Sequence, residues 1–401
     1  MNVFMPQKVR NIIEILNLNG FEGYMVGGCV RDSLLGLTPK DYDITTNAKP
    51  EDVINMFPKI IPTGIVHGTV TVLIDKEPFE ITTFRIDGEY KDSRRPSEVI
   101  FVEDIVKDLS RRDFTINAMA YNDSCGVIDP FNGIDDLNHS CIRCVGISSY
   151  RFQEDALRIL RAIRFSSQLN FKIHKDTLKA IEENSYLLKN ISAERIKDEF
   201  SKMVIGPNPS LALTHLISTG AFTYIDERLL GSWTYRNTSK INLIPNKLPL
   251  RLCYIFLPLQ DLHLCKSILK KLRFDNATII NFSKAYGFLL NNLDLNNEVV
   301  LKKVIYELGK EDIFDFLELL RISQLKNIDN AIVMCNRIIN NNEPLSIKDL
   351  CINGDNLKEL GITHGKSIGI TLNILLEKVL KNPLLNNYND LAKIVMDNFI
   401  K

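Results

Sequence analysis

Two carboxylates set two residues apart, Asp41 and Asp43, follow a glycine-rich turn and constrain the fold of this chain more than any other feature. The turn is Gly27-Gly28, and Arg31 comes three residues after it. If the carboxylates lie in a strand, side chains at i and i+2 point to one face and share one small volume. Like charges that close repel each other, and hard oxygen ligands suit Mg²⁺. The segment therefore predicts a site that binds a metal ion and a polyphosphate and carries out in-line transfer on that polyphosphate.

Other interpretations of the same residues stay open. Most Asp-x-Asp pairs are solvated turn residues. Residues 41–45 also fit the nucleophile motif of haloacid-dehalogenase-type phosphatases, although residues 38–40 are not the buried apolar strand that this motif needs. The Gly27-Gly28 turn suggests a dinucleotide-binding fold, but the sequence lacks Gly-x-Gly-x-x-Gly. The phosphatase is less favoured than a metal and polyphosphate site, and the dinucleotide-binding fold is less favoured than the phosphatase.

Composition and charge indicate a cytoplasmic enzyme of more than one domain. A chain of 401 residues with 45% hydrophobic content can form two or more cores. The sequence has no run of 18 apolar residues, and residues 1–20 show helical spacing rather than a signal peptide. Residues 1–140 carry 14 Lys and Arg against 22 Asp and Glu, whereas residues 141–210 carry 12 against 8. An acidic first part suits metal ions, and the basic remainder suits a polyanion.

The eight cysteines give no metal site. Only Cys141 and Cys144 have metal or redox spacing, and a zinc site usually needs four ligands. Reduced structural thiols are expected.

Strand and helix patterns divide the chain into a mixed first part and a helical remainder. Strand patterns cover residues 23–26, 42–45, 68–74 and 79–84, and a short helix pattern over 30–35 ends at Gly36. From Tyr150 onward helical periodicity dominates. We predict an α+β head followed by an all-α remainder.

Two further clusters carry chemistry in the head. Glu80 lies in the middle of a predicted strand, where it either completes a three-carboxylate site with Asp41 and Asp43 or points outward into solvent. Arg111 and Arg112 precede an apolar run. They either bind a triphosphate or form a solvated helix start.

A third cluster repeats every third residue after the head. On one helix, Asp155, Arg158, Arg161 and Arg164 share a slowly drifting stripe. The simpler interpretation is an Asp155–Arg158 ion pair within the helix, worth only ~0.3–0.5 kcal/mol. Three arginines on one face repel each other unless they share an anion or acidic partner, which favours a functional interpretation.

Together these motifs resemble those of the class II tRNA nucleotidyltransferases, the CCA-adding enzymes and their bacterial poly(A) polymerase relatives. The matching segments, in family order, are Gly27-Gly28-x-Val30-Arg31-Asp32-x-x-Leu35-Gly36, Asp41-x-Asp43, Glu80 to Arg85, Arg111-Arg112-Asp113-Phe114-Thr115-Ile116-Asn117-Ala118, Glu154-Asp155-x-x-Arg158 and Ser192-Ala193-Glu194-Arg195-Ile196. They lie within about the first 210 residues, and the later part carries no motif that aligns.

The resemblance implies a polymerase-β-like nucleotidyltransferase head, with a mixed sheet and helices, over residues 1–140. A helical neck would follow at 141–210, a body at 211–300 and a tRNA-binding tail at 301–401. The implied catalytic residues are Asp41 and Asp43, which would hold two Mg²⁺ ions, and Glu80 as third carboxylate. The implied contacts to nucleotide and triphosphate are Gly28, Arg31 and Arg112.

The resemblance also gives Asp155 and Arg158 a role as a protein template for the base. Cytosine and adenine each present an amino donor beside a ring-nitrogen acceptor, which a carboxylate beside a guanidinium complements. Uracil and guanine present a carbonyl beside a ring N–H, so both protein groups would face like partners and reject them. Arg161 and Arg164 would extend the stripe toward phosphate or backbone.

The implied activity is addition of C, C and A to tRNA 3′ ends from CTP and ATP. Residues 87–96 resemble the flexible loop that CC-only enzymes lack, and residues 61–70 resemble the CCA-adding branch rather than the poly(A) branch. No His-Asp phosphohydrolase segment is evident beyond residue 210. The alternatives are an A-adding enzyme, a poly(A) polymerase and a catalytically silent RNA-binding protein.

Overall fold

The computed structural model of the chain describes residues 3–62, 64–88, 98–230 and 238–399. The chain forms two compact units, Met1–Ser239 and Lys240–Lys401. Most of the loop expected over residues 87–96, and Thr63 in the segment 61–70, lie outside the described residues. The four-part division into head, neck, body and tail stays a prediction.

The first unit contains a mixed sheet, as the sequence predicts. Its strands are β1 (Gly23–Val26), β2 (Ile44–Thr46), β3 (Ile60–Ile61), β4 (Thr69–Ile74), β5 (Glu77–Thr83), β6 (Arg85–Asp87), β7 (Val99–Phe101), β8 (Ala120–Asn122), β9 (Gly126–Ile128), β10 (Cys141–Ile142) and β11 (Lys172–Ile173). One sheet has the order β3-β4-β5-β2-β1-β8-β9, and β10–β11 and β6–β7 form separate pairs. In the large sheet β2 and β5 are parallel, and the other neighbours are antiparallel.

The hairpin of β4 and β5 illustrates why these segments form strands. Val70 pairs with Ile81 and Val72 with Phe79, and all four side chains are buried. Alternate β-branched and aromatic residues therefore cover one face of the sheet, as strand periodicity requires.

Helices of the first unit pack on this sheet and follow it. They are α1 (Gln7–Leu18), α2 (Gly28–Leu34), α3 (Pro50–Met56), α4 (Ile105–Ser110), α5 (Gly133–Asn138), α6 (Ser148–Glu154), α7 (Leu157–Leu169), α8 (Lys175–Asn184), α9 (Ala193–Val204), α10 (Pro209–Ser218), α11 (Ala221–Ile225) and α12 (Glu227–Leu230). A core cluster of Tyr24, Val26, Phe84, Leu109 and Ala120 joins β1 and β8 to α4.

The second unit is helical throughout its described part. Its helices are α13 (Leu248–Phe256), α14 (Leu262–Lys271), α15 (Asn276–Leu290), α16 (Glu298–Leu308), α17 (Asp312–Gln324), α18 (Asp329–Asn340), α19 (Gly354–Glu359), α20 (Gly365–Lys381) and α21 (Tyr388–Phe399). Short 3₁₀-helices also occur, at Ile65–His67, Thr115–Asn117, Ser185–Asn190, Ser239–Leu243, Leu257–Leu259, Ile347–Asp349 and Pro383–Leu385. Among the described residues, every helix is too short or too polar to span a bilayer.

Candidate active site

One open pocket of about 500 Å³ in the first unit gathers most of the residues that the sequence singled out. Its walls are Gly27, Gly28, Arg31, Asp41, Asp43, Arg111, Arg112, Asp113, Asn117, Asp155, Leu157, Arg158, Arg161, Arg164, Phe165 and Arg195. Seven of these residues are arginines and four are aspartates. The excess of positive charge suits a ligand with several negative charges.

The two carboxylates lie just before a strand, not within it. Asp41 and Asp43 precede β2, which begins only at Ile44, and this corrects the predicted strand over residues 42–45. The Val26 N–H donates to the Asp43 carbonyl at 3.0 Å, so the chain already runs alongside β1 there. Both side chains nevertheless reach the same pocket.

The pKa of Asp43 reflects the repulsion between carboxylates that the sequence predicts. Its pKa is raised from the usual range, first by partial withdrawal from water, and then by Asp41 and Glu80, against the opposing attraction of Arg112. Water still reaches the carboxylate through the open pocket. A cation bound between Asp41 and Asp43 would relieve this repulsion.

Glu80 lies in β5, beside the strand that the two aspartates enter. Because β2 and β5 pair in parallel with Ile44 opposite Ile81, Glu80 occupies the position next to Asp43. Its side chain is exposed and does not line the pocket. Across the described ranges, no three His, Cys, Asp or Glu side chains are grouped to hold a metal ion. Two carboxylates fit Mg²⁺ all the same, because this ion usually keeps several waters and takes substrate phosphates as ligands.

The glycine turn brings backbone close to an arginine. Gly27 has φ 80°, and a Cβ there would lie 3.0 Å from Arg112 Nη1. A side chain at this position would be strained by its backbone and crowded by Arg112. The next residue, Gly28, begins α2, which carries Arg31 into the pocket.

Arg31 is fixed from two sides. Its Nε and Nη2 donate to Asp32 Oδ1 at 2.8 and 2.7 Å, and its Nη1 donates to Asn117 Oδ1 at 2.6 Å. Three charge-assisted hydrogen bonds leave this guanidinium little freedom before a ligand arrives.

Arg111 and Arg112 share one buried carboxylate. Arg111 donates to Asp108 Oδ1 at 2.9 and 2.8 Å, whereas Arg112 reaches Asp108 Oδ2 only at 3.4 Å. Burial alone would raise the pKa of Asp108, but the two arginines lower it below its usual value. The Arg112 Nε is buried without a hydrogen-bond partner. This is an unsatisfied donor in the wall of a pocket, and it indicates a ligand site rather than a solvated helix start.

Asp155 does not share a helix with the arginines that follow it. Helix α6 ends at Glu154, Asp155 is extended, and α7 begins at Leu157. The sequence predicted one stripe on one helix, and this is wrong because Asp155 Oδ1 accepts the Leu157 N–H at 3.1 Å and so caps the second helix. Its other oxygen accepts from Arg195 at 2.8 Å.

Arg158 is held by the end of the preceding helix. Its Nη1 donates to Glu154 at 2.5 Å and to the carbonyl of Arg151, and its Nη2 donates to the carbonyl of Arg111 at 2.9 Å. Asp155 and Arg158 therefore both face the pocket, each positioned by another partner.

The remaining arginines of α7 each meet one carboxylate. Arg161 contacts Asp113 at 2.6 Å, and Arg164 contacts Glu199 on α9 at 2.5 Å. Burial works to raise the pKa of Asp113, but Arg161, Asn117 and Arg158 outweigh it and hold the pKa at about 2. This carboxylate stays ionised and anchors the arginine side of the pocket.

Five residues of the walls had no predicted role in the site: Asp113, Asn117, Leu157, Phe165 and Arg195. Asp113, Asn117 and Arg195 fall inside motifs that support the family resemblance, and this was the available signal. The Arg195 Nη1 is buried and lacks a hydrogen-bond partner, like Arg112 Nε. The site thus presents two carboxylates for a cation and a set of guanidinium groups for a polyanion.

Three family models match successive parts of the chain. The "Poly A polymerase head domain" matches residues 23–143, and the "Probable RNA and SrmB- binding site of polymerase A" matches residues 170–228. A tRNA nucleotidyltransferase domain 2 model matches residues 254–395. The first match contains the glycine turn, the carboxylates and the Arg111-Arg112 segment.

Relatives match over the full chain and over its first part. A CCA-adding enzyme of Ligilactobacillus salivarius is 36% identical over 388 residues, which cover 95% of this chain and 94% of that protein. A CCA-adding enzyme of Pediococcus pentosaceus is 49% identical over 218 residues, and this match covers about half of each protein, 54% and 55%. The crystal structure of the Bacillus stearothermophilus CCA-adding enzyme with CTP is 28% identical, with a TM-score of 0.83 and 98% of each chain covered. The chain belongs to the CCA-adding enzymes of the class II tRNA nucleotidyltransferase family.

Proposed function

We propose that this chain adds C, C and A to the 3′ ends of tRNA from CTP and ATP, without a nucleic-acid template, and releases pyrophosphate. The observation that carries the proposal is one pocket in which Asp41 and Asp43 share the walls with Asp155, Arg158 and further arginines. A pair for a cation, donors for a triphosphate and a complementary pair for a base are the three parts that such a transfer needs. The full-length match to a CCA-adding enzyme supports the same function.

Asp41 and Asp43 are the residues that would hold Mg²⁺, two ions in the proposed active form. Bound there, magnesium would lower the pKa of the terminal ribose hydroxyl and neutralise charge on the phosphates. Both aspartates contribute hard oxygen donors and lie where their mutual repulsion favours a cation. Glu80 is proposed as the third carboxylate, acting from the adjacent strand β5.

The arginines are proposed to bind and orient the triphosphate. In the reaction the 3′-oxygen of the tRNA forms a bond to the α-phosphorus, and the bond from that phosphorus to the bridging oxygen breaks, releasing pyrophosphate. Transfer of this kind depends mainly on positioning and charge neutralisation. Arg112 brings an unpaired buried Nε, and Arg31 brings a guanidinium already fixed by Asp32 and Asn117. The backbone at Gly28 allows close approach.

Asp155 and Arg158 are proposed to select the base. Their side chains face one pocket from the start of α7, and each is held in place, by Arg195 and Glu154 respectively. A fixed acceptor beside a fixed donor complements the pairing edge of C and of A and mismatches that of U and G. Arg161 and Arg164 continue along α7 toward the phosphates or the RNA backbone.

The helical remainder is proposed to bind tRNA, with a neck at 141–210, a body at 211–300 and a tail at 301–401 after the head at 1–140. Basic residues exceed acidic ones in residues 211–401, by 23 to 19. RNA helices are recognised largely by shape and backbone contacts, which basic side chains on helices can supply. Since the substrates are tRNA, CTP and ATP, the proposed compartment is the cytoplasm.

A primer-extension gel tests the function directly. Purified full-length protein is incubated with Mg²⁺ and with tRNAs that end before CCA, after C and after CC, each offered CTP, ATP or both. We expect stepwise addition of C, C and A, followed by a stop.

The other outcomes separate the alternatives. One A added to the CC-ended tRNA alone would make the chain an A-adding enzyme, and a long ladder of A would make it a poly(A) polymerase. No incorporation, with tRNA still bound, would overturn the proposal in favour of a silent RNA-binding protein.

A further inference from the structure

The ring of Phe165, in the wall of the pocket, lies against three guanidinium groups. The Cζ atoms of Arg31, Arg161 and Arg164 are 5.1, 5.3 and 4.1 Å from its centroid. Cations within about 6 Å of an aromatic face are attracted by the quadrupole of the ring. Phe165 is only 6% exposed, so these contacts are poorly screened by water.

Each of the three arginines is also tied to its own carboxylate. Arg31 pairs with Asp32, Arg161 with Asp113 and Arg164 with Glu199. The carboxylates restrain the guanidinium groups from outside, and the ring is the surface that the three share. Without it, three like charges would lie close together with only their outer partners to oppose repulsion.

The ring is held in its orientation by a second ring. Phe165 and Phe114 meet edge to face, with centroids 5.8 Å apart and an interplanar angle of 81°. Phe114 is fully buried and follows the Arg111-Arg112-Asp113 segment directly. The ring of Phe165 is therefore clamped between the buried core and the guanidinium groups.

Arg31 is on α2, whereas Arg161 and Arg164 are on α7, the helix that begins beside Asp155. The ring is a contact common to the glycine-turn side of the pocket and to the helix proposed to select the base. A displacement of one helix relative to the other would separate a guanidinium from the ring.

We propose that Phe165 is a positioning residue whose aromatic face holds Arg31, Arg161 and Arg164 in the arrangement that receives the triphosphate of the incoming nucleotide. The inference rests on the proposed function for the identity of the nucleotide, but its anion chemistry is independent of tRNA. An aliphatic side chain of similar size would fill the same space and lose the attraction to the three cations.

The test compares Phe165→Leu, Phe165→Tyr and a matched control in the full-length protein. Phe171→Leu is the control, because Phe171 is similarly buried, at 7% exposed, and no cation is found over its ring in the described part of the chain. Affinity for sodium tripolyphosphate is measured by calorimetry, and KM and kcat for CTP by nucleotide addition. Thermal unfolding of every variant is recorded alongside.

For Phe165→Leu we expect tripolyphosphate affinity to fall about tenfold and the KM for CTP to rise about tenfold, the scale of a desolvated cation–π contact. We expect kcat to change less, by about threefold or below. Phe165→Tyr keeps the aromatic face and should restore tripolyphosphate affinity. Phe171→Leu should lower thermal stability and leave affinity unchanged.

Three results would overturn the positioning role: no tripolyphosphate binding by the unmodified protein, equal loss in Phe165→Leu and Phe171→Leu, or failure of Phe165→Tyr to restore affinity. An unmodified protein that binds tripolyphosphate but adds no nucleotide to tRNA would overturn the proposed function instead, and would leave the role of Phe165 standing.

Discussion

The pocket of the first unit and a buried lysine of the second unit differ in how their charged side chains are compensated by neighbouring groups. In the second unit Lys302 is fully buried, yet its ammonium lies 2.8 Å from Glu298 and from Glu343 and donates to the Leu380 carbonyl. Arg337 reaches the same two carboxylates. We call these four charged residues, Lys302, Glu298, Glu343 and Arg337, the lysine cluster. The ammonium thus has two carboxylate oxygens and one carbonyl oxygen within 2.8 Å.

The pocket is arranged otherwise. Asp41 and Asp43 face each other as like charges, and buried donors of Arg112 and Arg195 lack partners. Leaving such groups unpaired costs stability, which is tolerated where a ligand completes the set. Buried charge alone therefore does not mark a functional site. Like charges held together beside an open pocket do.

Removal of a carboxylate of the pocket should have the largest effect on the enzyme. Asp41→Asn or Asp43→Asn should reduce nucleotide addition by roughly a thousandfold or more, because several kcal/mol of metal-dependent charge stabilisation are lost. Gel-based addition rates and tRNA binding by filter retention would be measured together, and binding should be retained.

Asp135→Asn is the matched control, since Asp135 lies in the same unit with its side chain 68% exposed. It should act like the unmodified protein. If Asp41→Asn retained full activity, the pocket carboxylates would be structural, like those around Lys302.

The lysine cluster should respond in stability and not in chemistry. Lys302→Ala leaves two carboxylates near Arg337 alone, and should lower the free energy of unfolding by about 3 kcal/mol, the lower end for a broken buried pair. Urea unfolding would be compared with that of Lys303→Ala, whose neighbouring side chain is exposed. The KM for CTP should be unaltered under folding conditions, and a raised KM would show that the cluster is coupled to the pocket.

Asp113 belongs to the pocket but is fully partnered, so its contribution should appear in the pH dependence of stability. Its folded pKa of about 2 lies below the usual 3.8, so its contribution to stability is complete above about pH 4 and is lost as pH falls toward 2. Asp113→Asn should therefore lower the free energy of unfolding by about 2 kcal/mol at pH 7.

The free energies of unfolding of Asp113→Asn and of the unmodified protein should approach each other as urea unfolding is repeated from pH 5 down to pH 3. Asp198→Asn, at an exposed position, serves as control. If the two free energies of unfolding kept a constant difference over this range, the lowered pKa of Asp113 would be contradicted.

The smallest effect is expected on base selection. Asp155→Asn replaces an acceptor-only group by an amide that both donates and accepts, so preference for C and A over U and G should weaken by about tenfold. Competition between CTP and UTP on one tRNA measures this ratio. Unchanged preference would return Asp155 to a capping and ion-pairing role with Leu157 and Arg195.

Local patterns in the sequence predicted the elements that local chemistry decides. The strand at residues 23–26 and the β4–β5 hairpin are confirmed, because alternating buried side chains specify them without help from distant residues. The α+β head and helical remainder are confirmed as well. The carboxylates, the glycine turn and the arginines predicted to act together do line one pocket.

What the sequence left open, missed or predicted wrongly depends on contacts that the helix and strand patterns do not encode. The helical stripe from Asp155 onward is broken at Asp155 itself, whose carboxylate accepts the Leu157 N–H and also a hydrogen bond from Arg195, forty positions along the chain. Glu80 was expected either to complete a carboxylate triad or to point outward, and the sheet register that puts it beside Asp43 depends on pairing across strands. The side chain of Phe165 has no polar atom, so nothing in its residue type pointed to a role in the site.

The pairing of β1 with β8 has a consequence for synthesis of the protein. Met25 is paired with Tyr121, and Arg31 reaches Asn117, so the first half of the pocket closes only against residues made much later. Contacts this distant in sequence form slowly, and chains emerge from the ribosome N-terminus first. Until Asn122 is available, β1 keeps an open edge, which is a place for misdirected pairing with other chains. A nascent chain should therefore gain affinity for tripolyphosphate only after β8 has joined the sheet and α7 has been made, so ligand binding would report the moment at which the pocket is complete.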